Sequence, residues 1–165
     1  MPETCSLHEF LSFLRLSCKF DFDIEKHTFS ERIRLQKYVF LAQRIGLVPL
    51  VPLDYSMYIR GPYSSALADI YFNSASWDRP LFATQGFDPA QFIRTIGDRD
   101  VHWLEVAATI LFVSEYTLSQ YQGSFSVDDL VERVQRVKTF SDKEIESVFN
   151  TLRKNNLFFE NNIND

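Results

Sequence analysis

Glycine is scarce in this chain, with five residues in 165 against sixteen phenylalanines. So little glycine argues against glycine-rich phosphate loops, which need backbone free of a Cβ, and against a fold of many tight β-turns. Cysteine is scarcer still. Cys5 and Cys18 are too few for a disulfide framework, and too few for a four-ligand zinc site without heavy help from the three histidines. Nowhere do eighteen uncharged apolar residues run together, and Met1 to Cys5 lacks the basic start of a secretory leader. The expectation is a soluble, cytoplasmic protein with reduced thiols and no membrane partner. Cations are outnumbered, with 17 Lys and Arg against 22 Asp and Glu for a net charge of −5. Such a chain is a poor non-specific binder of polyanions, because that affinity rests on neutralising phosphates.

What the chain does have is apolar mass. Hydrophobic residues make up 45% and charged residues 24% of it, the balance of an ordinary globular protein, and the length suits one domain. Phenylalanine is the main core material. The surplus of acid sits at the C-terminal end, where residues 101–165 carry 6 basic and 10 acidic side chains, against 8 and 7 in residues 1–60.

Apolar spacing predicts a first helix over 4–19, with Thr4 or Ser6 as N-cap, and a second from Ser30 to about Ile45, stopped by Gly46. Apolar residues almost encircle the second helix, leaving narrow polar stripes, so it is expected to pack on several sides. Pro49 and Pro52 forbid further helix, and Tyr55 to Ile59 reads as a short strand. Arg60 to Ser65 follows as a turn, with Ser64 or Ser65 capping a helix over 66–73. Residues 74–87 lack any period and read as an exposed loop. Asp88 and Pro89 open a helix to Ile96, and Val101 to Tyr121 is the longest periodic run. Ser126 caps a further helix. Ser141 and Glu144 form a capping box for the next, with Phe140 and Ile145 spaced as a hydrophobic staple, and residues 155–159 read as an edge strand. The fold class expected is mainly α: a single compact helical domain over 1–165 with a short β element. Its core spans 4–121, and a winged-helix-like helix-turn-helix spans 126–160.

No P-loop, dinucleotide fingerprint, HExxH, GxSxG or CxxC spacing occurs, so an enzyme reading lacks a motif. Cys5 and His8 stand three apart on the expected first helix, a pair that cannot complete a metal site. Asp98, Asp100 and Glu105 read either as the divalent-ion site of a hydrolase or, with more weight, as a solvated helix entrance favoured by the helix dipole. No cofactor and no metal are expected. Arg60 is more informative, because a guanidinium beside Gly61 and a helix start at Ser64 can hold a carboxylate or phosphate. The plainer alternative is a strand-to-helix corner in which Gly61 takes an unusual dihedral and Ser64 caps. Arg34, Lys37 and Arg44 share one side of the second helix and either extend a basic patch toward Arg60 or pair with carboxylates. In the C-terminal unit, the would-be recognition helix opens with Asp142, Glu144 and Glu146, which would repel phosphates.

The block from Arg34 to Gln43, then Tyr55, Tyr58, Arg60 to Ser64, Leu67 and Asp69, resembles the signature of the YwgA-like family. It is more distantly similar to the SocA-like, or Panacea, antitoxin domain, with its Leu-Gln-Lys helix, aromatic strand and Tyr-Gly-Pro turn. Here Arg60 stands where that turn has Tyr. The resemblance covers roughly 30–112 and implies a small helical regulatory protein, with antitoxin relatives that neutralise a toxin by protein contact and no catalytic residues to transfer. Gln36, Lys37, Gly61, Pro62 and Tyr63 match it and read first as framework. The leading expectation is a non-catalytic module that offers Arg34, Lys37, Arg44, Arg60, Gly61, Tyr63 and Ser64 to an acidic protein surface or a phosphate. The alternative is a winged-helix regulator of nucleic acid, disfavoured by the acidic helix. Self-association stays open.

Overall fold

A computed structural model describes residues 3–23, 25–121 and 123–164. In chain order the elements are β1 (Thr4–Ser6), α1 (Leu7–Cys18), α2 (Phe29–Gln43), β2 (Val48–Pro49), β3 (Ser56–Tyr58), β4 (Gly61–Tyr63), α3 (Ser65–Tyr71), β5 (Pro80–Ala83), α4 (Pro89–Ile96), α5 (Val101–Tyr121), β6 (Phe125–Ser126), α6 (Val127–Val137), α7 (Asp142–Lys154) and β7 (Ile163–Asn164). The protein is mainly helical, with three small sheets among the described residues.

Helix boundaries follow their capping chemistry. Ser6 and Glu9 close a capping box on α1, each side chain meeting the other's backbone N–H at 3.1 Å. Cys5 therefore lies in β1, ahead of the helix, and does not share α1 with His8 as the spacing suggests. Thr28, two residues before the expected Ser30, caps α2 by accepting the Glu31 N–H. Asp88 and Pro89 start α4 where the sequence places it, and α5 spans the periodic run from Val101 to Tyr121.

Two helices organise the core. In α2 every side chain from Leu35 to Ala42 is buried, as a helix apolar almost all round requires. Beside it α5 packs against α2, β4, α6 and α7. Burial of large apolar side chains contributes roughly 1.5–3 kcal/mol each, and one contiguous cluster runs from Cys5 through both helices to Ile163.

Residues 74–87 are not a loop throughout. β5 is the middle strand of an antiparallel sheet in the order β1-β5-β2, with Phe82 opposite both Cys5 and Pro49. Leu81 and Phe82 are buried, and the Phe82 ring lies 5.4 Å from that of Phe10. Four residues are too few to display a period of two, which is why composition suggested a loop.

At the C-terminal end α6 and α7 form the expected pair, capped by Ser126 and Ser141. Only half of the second capping box is made. Ser141 Oγ accepts the Glu144 N–H, while the Glu144 carboxylate bonds His102 Nε2 and ties the start of α7 to that of α5. The edge strand expected at 155–159 is absent: Asn156 takes a φ of +65° after α7, and the later β7 pairs in parallel with β6. No helix among the described residues is long and apolar enough to cross a membrane.

Candidate interaction site at the β3–β4 hairpin

The segment read as strand and turn is a hairpin. β3 and β4 pair antiparallel with Ser56 opposite Tyr63, Met57 opposite Pro62 and Tyr58 opposite Gly61, leaving Ile59 and Arg60 as a two-residue tip. Gly61 has a φ of +93°, the left-handed region where a Cβ is penalised. It is also crowded. A Cβ there would lie 3.2 Å from Thr109 Oγ1, 3.3 Å from Lys37 Cε and 3.5 Å from Glu105 Cγ. The sequence expectation that Gly61 takes the unusual dihedral and Ser64 caps α3 holds, since Ser64 Oγ accepts the Leu67 N–H at 3.1 Å.

Two side chains of α2 seal the inner edge of β4. The Gln36 amide donates to the Ser64 carbonyl and accepts the Ser64 N–H, both at 2.9 Å, the pair of bonds a neighbouring strand would supply. Lys37 Nζ donates to the Pro62 carbonyl at 2.7 Å. Both residues are fully buried.

Beneath the tip lies a buried charge cluster. Glu105 of α5 meets Lys138, at the end of α6, with 3.3 Å between Oε1 and Nζ. Lys138 Nζ also donates to the Ile59 carbonyl, so the tip backbone is held to the α6 terminus. Burial pulls the Lys37 ammonium down to about 8, against the attraction of Glu105 and with some repulsion from Lys138. The Thr109 hydroxyl, next to Gly61, is buried and finds no hydrogen-bond partner among the described residues.

The candidate residues thus separate by burial. Lys37, Gly61 and Ser64 are interior, and Tyr63 is half-buried with its ring 4.9 Å from that of Tyr58. Arg34 and Arg44 are half-buried and already engaged. Arg34 lies 4.8 Å from the Phe20 ring centre and donates to Tyr38 Oη at 2.6 Å. Arg44 stacks 3.5 Å above Phe40 and holds Glu115 with two bonds of 2.7 Å. Of the two readings of these charges, pairing with a carboxylate holds for Arg44, and no patch continues toward Arg60, because Lys37 is buried under β4 and Arg34 is engaged by Phe20 and Tyr38. Arg60 differs: it is exposed, and no described residue bonds it.

Apolar side chains share the outside of the hairpin. Ile59 is 88% exposed and Tyr58 52%. Sequence reading missed these two, and also the Glu105–Lys138 pair, whose members are 33 positions apart and carry no local signal. The acidic entrance to α5 does not form a metal site. Asp100 accepts the Trp103 N–H at 2.8 Å, Glu105 is turned to Lys138, and no group of three potential ligands occurs among the described residues.

Comparison with known proteins finds no family model, no curated protein and no solved structure with a significant match to this chain.

Proposed function

We propose that this chain is a non-catalytic protein-interaction module, of regulatory or antitoxin-like type and acting in the cytoplasm, that binds through the tip of the β3–β4 hairpin. The observation that carries the reading is the contrast at the tip. Ile59 and Arg60 face solvent, while the strand that follows them is held at Pro62 and Ser64 by buried Lys37 and Gln36, and the Ile59 carbonyl by Lys138. A preformed loop loses little ordering entropy on binding, and an exposed arginine beside large apolar groups has the composition of an interaction hot spot. The partner is an acidic protein surface, which Arg60 meets by charge and Tyr58, Ile59 and Tyr63 by apolar contact. The regulatory and antitoxin part of the reading rests on the resemblance around Gln36, Lys37 and Gly61 to Tyr63.

The test is retention of a partner from cell extract by the immobilised protein. Arg60→Ala and Ile59→Asp each lower retention about tenfold, the loss of one hot-spot contact. Unchanged retention by both variants removes the tip from the interface.

The second reading is a winged-helix-like nucleic-acid regulator built on α6 and α7. It is favoured by the capped helix pair and by Arg133, Arg136 and Lys143 upon it. The acidic first turn of α7 weighs against it.

A further inference from the structure

A groove of about 270 Å³ opens beside the hairpin, lined by Met57 of β3, by Phe112, Val113, Tyr116 and Thr117 of α5, and by Arg133, Arg136 and Val137 of α6. Its floor and walls are largely apolar, and its two charged lining residues are both arginines. Val137 and Tyr116 at its margin are 48% and 59% exposed. On a chain of net charge −5 this is an apolar surface edged by two arginines, of which Arg136 pairs with Glu132 at 2.9 Å. Lys138 follows Val137 directly and holds the Ile59 carbonyl, so the helix end that lines the groove also meets the hairpin tip.

We propose that this groove seats an acidic amphipathic helix of a partner protein, an inference that rests on the interaction-module reading and names the partner's binding element. The volume falls below the roughly 300–1,000 Å³ typical of small-molecule pockets. It fits the anchoring side chains of a larger ligand. Two helices and a strand form its walls, the setting in which an amphipathic helix lays apolar anchors three and four residues apart into a groove. Charge selects the outward face of that helix. Arg133 and Arg136 stand on the rim, and the Arg136–Glu132 pair is two-thirds exposed on both sides, so a partner carboxylate exchanges with it at little cost. A basic helix would meet like charge on the same rim.

Methionine makes the test direct, because Met57 is one of only two in the chain. Protein labelled with ¹³C at the methionine methyls is titrated with a synthetic helical peptide of about fifteen residues. The peptide carries leucines at helical spacing and glutamates elsewhere, and a control has lysine for every glutamate. The expected result is a saturable shift of the Met57 methyl with the glutamate peptide and at least about tenfold weaker binding of the lysine peptide. Val137→Glu or Arg136→Glu removes the difference, with circular dichroism verifying that each variant is folded. No movement of Met57, or equal response to both peptides, overturns the proposal. So does a Met57 shift on concentrating the protein alone, with dimer in sedimentation, which makes a second copy the occupant. If Arg60→Ala loses the extract partner while Met57 stays unmoved by the glutamate peptide, the module reading stands and the groove assignment falls.

Discussion

Gln36 grips the backbone of Ser64 with both ends of its amide, at 2.9 Å each way, and so completes a sheet edge from the middle of a helix. Glutamine suits this position because one group must both donate and accept. Gln36→Leu leaves a buried N–H and a buried carbonyl unpaired, at about 1–3 kcal/mol for each. Gln36→Glu retains an acceptor for the Ser64 N–H but sets a carboxylate oxygen against the Ser64 carbonyl. Urea unfolding is expected to place both variants about 2–4 kcal/mol below the parent, and an unshifted midpoint in Gln36→Leu would show that the edge needs no seal.

Gly61 is the second fixed point. Alanine there meets the left-handed penalty of roughly 1–2 kcal/mol and crowds Lys37 and Thr109 for a further 1–3. Gly61→Ala is therefore expected to lower stability by about 2–4 kcal/mol, measured by the same unfolding curve. Hydrogen exchange should loosen first at Tyr58 to Tyr63.

The buried ammonium of Lys37 makes stability depend on pH. Its folded value of about 8 lies below the ordinary 10.5. Between those values the unfolded chain holds a proton that the native chain has released, so stability rises with pH. Below pH 8 both states are protonated and the burial penalty is constant. Cys5, pushed up to about 11, and Cys18, also raised, act in the opposite sense above about pH 9, because the native chain keeps protons that the unfolded chain gives up. Lys37→Met retains those thiols, so subtraction isolates the lysine. From pH 7.5 to 9 the parent is expected to gain about 1 kcal/mol relative to the variant. Parallel pH profiles would mean that Lys37 titrates normally.

How far these features were legible follows from their range along the chain. Helices α4 and α5 could be read from the sequence because a cap and a repeat of 3.6 are local, and Asp88 and Pro89 announce the first of them within two residues. β5 could not, since its burial depends on β1, more than seventy positions away. The helical wheel of α2 located Gln36, Lys37 and Arg44 on narrow stripes but could not say what those stripes face. A polar stripe on a surface helix meets water; here Gln36 and Lys37 meet the backbone of residues 62–64. Arg60 was legible as a feature of the corner. The exposure of its sequence neighbours Tyr58 and Ile59 was not, because strand-forming residues are as often buried, and the groove was not, because β3, α5 and α6 meet only in the folded chain.

The α6–α7 pair yields the last prediction. A helix reading the major groove brings its first turn to the base edges and neighbouring phosphates, where cations and amides belong. The first turn of α7 carries Asp142 and Glu144, and Glu146 follows, exposed. Glu144 is turned toward His102, which leaves Asp142 and Glu146 nearest to an approaching phosphate. With the chain at −5 overall, the long-range term is unfavourable as well. A short DNA duplex is therefore expected to migrate unretarded with micromolar protein at about 50 mM salt, where counterion release favours binding most. Neutralising the turn by Asp142→Asn with Glu146→Gln should not create a shift, because the first turn of α7 itself then offers a phosphate one cation, Lys143. Retardation by the parent that weakens steeply with added salt would reverse the ranking and make the helix pair, rather than the hairpin, the working surface.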